Sequence, residues 1–496
     1  MNKNRSSLII PRRQFLYASG LMTLTSTALS AQKILGANDR VRIGFIGMGR
    51  RSGGLLGEFL RIPNVELVAI SDPDTAQMEN RLQHIQRIKA RLLSKGHPLP
   101  DSRVEAIQDY RKLLERKDID AVVIPSTTFW HTLLAIHALQ AGKHVYVEKP
   151  ATFTHWEGRQ LEAAAQRYGK VIGVGYQNRS DPGPQDGIRY VQEGNLGKIR
   201  KVRALCFRNR DSIGKLDHPL KPPATINYDL WLGPAPQHVT YRPELHYDWH
   251  WDFNTGNGDL GNQSVHEIDM VYWLLGHPGL PSEVRSFGNR FAWNDGGNTP
   301  NMLAVWCKWG GAEVILETND LKVSPDRNVA RHRMGTRVGI IAECENGFLK
   351  GGRGGMVALK PDGKTITQRF KGNGGQGHQN SFIEAIRAND GSKFPAQVAH
   401  SHPSESVMHL GNASYRMGDL HSSSELQSTL SGHDDLLEII EEQNEQLLTW
   451  DVNDPKYFCG PPIRVNPETA EVTTPGVGPE LIGPHYRKGY EVPKLT

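Results

Sequence analysis

The sequence predicts an α/β protein: an N-terminal Rossmann parallel sheet followed by a C-terminal α/β domain with an open, mostly antiparallel sheet. Three observations carry this. An apolar run over residues 41–46 ends in the glycine-rich turn Gly47-Met48-Gly49-Arg50-Arg51-Ser52 and leads into a helical pattern. Strands and helices then alternate as far as Tyr176, as in a parallel sheet with crossover helices. After about residue 197, strand-like runs follow one another with Gly and Asn/Asp between them, which reads as antiparallel.

Residues 1–31 read as a targeting segment outside the fold. Pro11-Arg12-Arg13-Gln14-Phe15-Leu16 looks like a twin-arginine signature, followed by a mildly apolar stretch and the small residues Ala28-Leu29-Ser30 that suit a peptidase. The expectation is export to the periplasm by the twin-arginine translocation machinery. Lys3, Arg5, Arg12 and Arg13 supply four of the five units of net positive charge. The remainder is close to neutral, so nothing points to nucleic acid. No other stretch is apolar for long enough to span a membrane. The four cysteines form no CxxC pair, which removes zinc and thioredoxin readings.

Residues 38–177 are the expected dinucleotide-binding domain. Gly47-x-Gly49-x-x-Ser52 follows a strand and opens a helix. Gly47 allows the tight turn, Gly49 lets the backbone approach a pyrophosphate, and small Ser52 keeps helix and strand close. Met48, Arg50 and Arg51 share the loop, at the positive end of the helix dipole. The next strand ends at Asp72, 23 positions past Gly49, near the spacing of a carboxylate that accepts ribose hydroxyls. Asp72 and Asp74 repel a 2′-phosphate and favour NAD, whereas Arg50 and Arg51 keep NADP open. Helices at 75–95, 109–114, 130–141 and 156–168 and strands at 119–125, 144–147 and 171–176 complete this half.

Residues 178–400 read as a substrate-binding and oligomerisation domain. Its expected strands are 199–207, 283–291, 301–309, 312–318, 337–343, 347–350 and 365–370, with a helix at 265–275 among them. Residues 401–450 read as helices packing back on the core, with helical patterns at 404–417 and 434–450. A further helical pattern spans 379–388. Residues 451–496, rich in Pro and Gly, read as an extended C-terminal arm.

Three stretches could carry chemistry. Glu148-Lys149-Pro150 closes a strand whose end points at the cofactor crevice. There an ammonium stabilises a developing alkoxide, and Glu148 shares that edge of the cofactor site. In Asn262-Gln263-Ser264-Val265-His266-Glu267-Ile268-Asp269 a loop enters a helix, and His266 and Asp269 share one face. His266 suits a proton acceptor near neutral pH, and a satisfied structural histidine is the alternative. The run 246–253, with Trp249 at its centre, combines rings, acids and histidines. It suits a sugar's apolar face and hydroxyls, or equally a packed aromatic corner. No metal-ligand spacing is present.

Together the strand–glycine loop, Glu148-Lys149-Pro150 and the His266-x-x-Asp269 element resemble the Gfo/Idh/MocA oxidoreductase family over most of the chain from Val41 to about Gly418. The leader and Tyr228-Asp229-Leu230-Trp231-Leu232-Gly233-Pro234 resemble its twin-arginine-exported branch. The resemblance implies NAD or NADP, a carbohydrate or cyclitol substrate, and homo-oligomers that often pair through the second-domain sheet. It implies that Lys149 is the catalytic lysine, that His266 is the substrate-side acid/base, and that His131 lies near the nicotinamide. Asn178 and Arg179 would line the substrate pocket, with Trp249, Asn262, His266 and Asp269. Many members carry Asp where this chain has Asn262. An Asn orients a hydroxyl but holds no proton, so His266 is expected to lean on Asp269 or Glu267, or Lys149 to take more of the proton work. The expected function is a periplasmic NAD(P)-dependent oxidoreductase of a sugar, glycoside or cyclitol secondary alcohol with tightly bound cofactor. The alternatives are NAD-dependent glycoside cleavage through transient oxidation and elimination, and a non-catalytic dinucleotide-binding sensor.

Overall fold

The computed structural model describes residues 40–100 and 102–496. The expected leader, with Arg12 and Arg13, lies outside the described residues.

Short apolar runs between amphipathic helices build the first sheet. In chain order they are β1 (Val41–Ile46), α1 (Arg50–Phe59), β2 (Val65–Ser71), α2 (Thr75–Leu93), β3 (Glu105–Ile107), α3 (Tyr110–Glu115), β4 (Ala121–Ile124), α4 (Thr128–Gln140), β5 (His144–Val147), α5 (His155–Tyr168) and β6 (Ile172–Val174). The six strands pair in parallel in the order β3-β2-β1-β4-β5-β6. β2 and β4 are buried at every position because helices cover both faces. The order reverses between β1 and β4, so a crevice opens where their C-terminal ends diverge. The side chains of Asp74 and Asp109 cap α2 and α3.

The second half contains α6 (Pro182–Gln192), β7 (Ile199–Phe207), α7 (Tyr228–Leu232), α8 (Val265–Leu274), β8 (Glu283–Asn289), β9 (Met302–Trp309), β10 (Ala312–Asn319), β11 (Lys322–Ser324), β12 (Arg327–Ala330), β13 (Val338–Cys344), β14 (Gly347–Gly352), β15 (Gly355–Leu359) and β16 (Ile366–Lys371). Then follow α9 (His378–Arg387), α10 (Val398–Arg416), β17 (Asp419–Ser422), α11 (Ser423–Thr429), α12 (Asp434–Leu448), β18 (Lys456–Cys459), β19 (Ile463–Arg464) and α13 (Pro479–Ile482). The large sheet runs β16-β15-β14-β13-β7-β10-β9-β8-β18-β17, with β19 on β8. β7 and β10 are parallel, and the other pairings in this sheet are antiparallel.

Some elements differ from expectation for identifiable reasons. α6 is not among the expected helices; Pro182 sits in its first turn and the Asp181 side chain caps Gly183 N. α10 begins at Val398 rather than Ser404 and carries Pro403 inside it. The tail at 451–496 lies on its own chain. β18 and β19 extend the sheet, the Tyr486 hydroxyl donates to Glu157, and Leu495 N donates to Gln160 on α5.

On one face of the large sheet, Val202, Ala204, Val305 and Leu316 pack with α6, α8 and α10. On the other, Phe287, Met302 and Ile315 lie under Leu436, Ile440 and Leu447 of α12. Arg203 ties that face to α12 through Glu317 and Asp435. The chain's own helix therefore covers part of the sheet through which the resemblance implies self-association. After β16 the chain returns to the first sheet. Ala396 O accepts from Val174 N, and Phe382 and Phe394 pack around Tyr146. No helix among the described residues is long and apolar enough to cross a membrane. All four cysteines are buried and free.

Because Ile440 is fully buried between α12 and the sheet, Ile440→Ala is expected to cost about 2–5 kcal/mol. Urea unfolding should show this as a lower midpoint at constant slope.

Candidate active site

The glycine loop takes its shape from β1 and its neighbours. Gly47 has φ +105°, and a Cβ there would stand 2.6 Å from the Ser126 Cα after β4, so only glycine fits. A Cβ on Gly49 would meet no protein atom, and Gly49 faces the cavity. That open space is what a pyrophosphate needs beside the N-terminus of α1, where Gly49 supplies no side-chain cap. Arg81 of α2 donates to the carbonyls of Met48 (3.1 Å) and Gly49 (2.8 Å), which ties the loop to α2. Ser52 is fully buried and donates to Gly49 O, so it shapes the turn without lining the cavity. Met48 is buried too, and its N–H donates to Asp72 Oδ2 at 2.6 Å. Asp72 lines the cavity at the end of β2, and burial pushes its carboxyl up to about 6. Asp74 caps α2 and accepts from His246.

Lys149 stands at the end of β5. Lys149 is half-buried, and its ammonium donates to the Asn262 carbonyl oxygen of the second half. Burial lowers the lysine's proton affinity, Glu148 raises it, and Arg51 lowers it again. Glu148 accepts from Arg51 Nε at 2.9 Å and Gln177 Nε2 at 3.3 Å. Burial pushes Glu148 up, but Arg51 and Lys149 outweigh it and keep the group ionised. Arg51, expected as a phosphate contact, is thus bound to Glu148, although it still borders the cavity. His131 is buried with Nδ1 2.6 Å from Pro150 O and Nε2 3.1 Å from Ser126 O. Desolvation lowers its pKa, and a neutral ring, with its single N–H, donates to one of these two carbonyls.

The facing wall comes from the turn before α8. Asn262 Nδ2 donates to Asp259 Oδ1 at 2.7 Å. Asp259 is also gripped by Arg210 at 2.5 and 2.6 Å. Burial raises Asp259, but Arg210 and Asn262 hold it below the ordinary carboxylate range. Its neighbour Asp320 is pushed up by burial and by Asp259, so the pair carries one negative charge. An ionised Asp259 only accepts, which orients the Asn262 amide and leaves Oδ1 as its remaining acceptor. His266 lines the cavity, and its buried Nδ1 has no partner among the described residues. Burial and then Lys149 keep it neutral. Neither expected support reaches it as a charge. Asp269 is wholly committed to a buried bidentate pair with Arg179, and burial pushes Glu267 up to about 8.

A long connection before α8 covers the crevice. Thr75 N donates to Thr225 O and Asn227 N to Pro73 O, just past Asp72. Arg50 lies 4.5 Å over the Tyr247 ring, and Trp249 stacks on His250 at 3.6 Å. Burial pushes His250 down to about 3, so this ring is neutral.

One cavity of about 520 Å³ joins these parts. Gly47, Gly49, Arg50, Arg51, Asp72, His131, Glu148, Lys149, Trp249, Asn262 and His266 line it. Asn178, Arg179 and Asp269 do not. Arg179 and Asp269 spend their charges on each other, and Asn178 is buried in the turn after β6. The cavity thus leaves out these three of the residues expected to line a substrate pocket. Sequence reasoning missed Arg81 and Gln177, and also Arg353, which enters from the β14–β15 turn. Arg81 carried a faint signal, since α2 reads as strongly basic. Arg353 carried none, being one charge in a turn far away in sequence.

This architecture defines a dinucleotide-binding α/β protein with a second domain closing the crevice. An oxidoreductase family model with an NAD-binding Rossmann fold matches residues 41–176, and the model of the same family's C-terminal alpha/beta domain matches residues 211–289. Both matches, one in each half, are to domains of the Gfo/Idh/MocA oxidoreductase family. Among relatives, a glycosyl hydrolase family 109 protein of Shewanella pealeana is 36% identical over 129 residues, which is 26% of this chain and 27% of that protein. An alpha-N-acetylgalactosaminidase of Shewanella oneidensis is 32% identical over 180 residues, 32% of this chain and 37% of that one. The chain thus spans little more than a third, at most, of these relatives' length. Among solved structures, a WlbA dehydrogenase from Chromobacterium violaceum in complex with NADH and UDP-GlcNAcA superposes with TM-score 0.54 at 18% identity, covering 75% of this chain and 92% of that one. GenD2 from gentamicin A biosynthesis, in complex with NAD, does so at 0.52 and 17%, covering 75% and 93%. At such identity the likeness is one of fold.

The Asp72 carboxylate should exist above about pH 6 and be lost below it. As an acceptor for ribose hydroxyls it weakens as it protonates. Bound nucleotide is therefore expected to dissociate several-fold faster at pH 5 than at pH 7.5, as rapid gel filtration would measure. Asp72→Asn should flatten that dependence.

Proposed function

We propose that this chain is an NAD(P)-dependent oxidoreductase acting on a secondary alcohol of a sugar, glycoside or cyclitol, with the cofactor held in place. The observation that carries the reading is the continuous cavity from Gly49 and Asp72 to Lys149, Asn262 and His266. A bound nicotinamide supplies the hydride acceptor or donor there. The chain's own residues supply the rest. The Lys149 ammonium donates to the substrate oxygen and offsets the negative charge that grows as the C–H bond breaks. Neutral His266, with Nδ1 unpaired, takes the hydroxyl proton, and in the reverse direction returns it. Asn262 Oδ1 accepts from a neighbouring hydroxyl and fixes the ring's orientation. The cover formed by 225–250 keeps water from the reacting atoms and supports slow release of the dinucleotide.

A second reading is favoured by the relatives' names: glycoside cleavage by oxidation, elimination and re-reduction. Both readings need the same Lys149 and His266. They differ in bookkeeping at the nicotinamide absorbance, where net oxidation accumulates signal and cleavage releases aglycone without it.

We also propose export by the twin-arginine route, on the strength of Arg12 and Arg13. A double Arg12→Lys, Arg13→Lys variant should stay in the cytoplasmic fraction while the wild type reaches the periplasm. Wild type found only in the cytoplasm would refute this. Self-association stays a proposal from family resemblance, and the covered sheet face points it toward other surfaces.

Mass spectrometry of nucleotide released from the purified protein, followed by a sugar and aryl-glycoside panel, tests the main reading. Bound NAD or NADP is expected. A protein that neither carries nor takes up nucleotide would sink it. Lys149→Ala should lower turnover about 10²- to 10⁴-fold with nucleotide retained. Ligand binding without turnover in the wild type would mark a sensor.

A further inference from the structure

The chain's return from the large sheet puts one carboxyl behind the site. Glu405, on α10, is completely buried. Its Oε1 accepts from Ala151 N–H at 2.8 Å and from the Tyr176 hydroxyl at 2.6 Å. Its Oε2 accepts from Thr152 N–H at 3.0 Å and from the Thr152 hydroxyl at 2.6 Å. Ala151 and Thr152 follow Lys149 by two and three positions. The Tyr176 ring meets the His266 ring edge-on, centroids 5.9 Å apart. None of Ala151, Thr152, Tyr176 or Glu405 lines the cavity, so the carboxyl acts through others.

We propose that Glu405 is the positioning residue that sets Lys149 and His266 relative to each other across the cavity. The proposal rests on the reading of those two residues as the proton-handling pair. Lys149 belongs to the first sheet and His266 to a helix of the second half, and backbone continuity does not align them. Glu405 holds two consecutive amides of the Lys149 loop and, with its other contact, the phenol that abuts His266. Each of its oxygens takes two donors, an arrangement that leaves the loop one low-energy position. The latch also survives a change of protonation. Burial pushes Glu405 up to about 7 against the pull of its four donors. When it gains a proton, Thr152 Oγ1 can accept from it and donate onward to His409 Nε2, 3.0 Å away. Burial keeps His409 neutral and therefore able to accept. The Thr152 hydroxyl reverses its direction and the heavy atoms stay where they are.

The test compares wild type, Glu405→Ala, Glu405→Gln and Tyr176→Phe, each loaded with nucleotide and checked for folding by its melting transition. Two readouts need no substrate: the pH dependence of Lys149 reaction with an amine-selective label, and the His266 ring resonances by NMR. Glu405→Ala is expected to move both and to lower kcat about 100-fold with KM little changed. Glu405→Gln keeps acceptors for Ala151 and Tyr176 and should recover at least a tenth of wild-type kcat. Tyr176→Phe should move the His266 resonances and leave Lys149 labelling unchanged. If Glu405→Ala does not fold, Tyr176→Phe and Glu405→Gln decide. A Glu405→Ala protein that folds less stably but keeps both readouts and kcat would overturn the proposal, as would a Tyr176→Phe that leaves His266 unmoved. If the wild type turns over no sugar, the catalytic reading fails by itself, and the labelling and NMR still judge the latch.

Discussion

A half-buried lysine ammonium at the crevice between the two halves is the constraint to which the rest of the site responds. Partly removed from water, Lys149 needs charge and hydrogen bonds around it. The first sheet supplies Glu148, and Arg51 balances Glu148 in turn. The second half supplies the Asn262 carbonyl. The two halves therefore meet around one charge, and the crevice between them is where a hydroxyl oxygen gains most from that charge. His266 stays neutral for the same reason: burial and the nearby ammonium both oppose a second positive charge.

The Asn at position 262 rests on a carboxylate. Asp259, three positions back, is held by Arg210 and accepts from the Asn262 amide. Its negative charge therefore lies beneath Asn262, on the support of the cavity wall. Arg179 likewise holds Asp269, which removes that acid from His266 and leaves His266 an uncharged acceptor.

The dinucleotide end follows a different logic. The glycine loop presents open space at Gly49, at the N-terminus of α1, which any anion could enter. Over this loop runs the connection at 225–250, whose backbone pairs with the chain just past Asp72 and whose Tyr247 lies under Arg50. A ligand under such a cover leaves only when the cover moves, so binding and release become properties of the loop as much as of the glycines.

Much of this was legible in the chain's own order. Residues 41–46, 65–71 and 199–207 reveal their strands because apolar periodicity is local. Gly47, Gly49, Asp72 and Lys149 reveal the crevice because strand ends in a parallel sheet share one edge. Sequence alone thus determined the two sheet types and the place of the glycine loop between β1 and α1. What only the tertiary structure decided are the pairings between residues far apart: Arg179 with Asp269, Arg210 with Asp259, α12 with the large sheet, and Glu405 with the Lys149 loop. The physical reason is that a charge or hydrogen-bond donor does not encode its partner. Many residues along the chain could have answered each one, and the fold chooses among them by distance and burial.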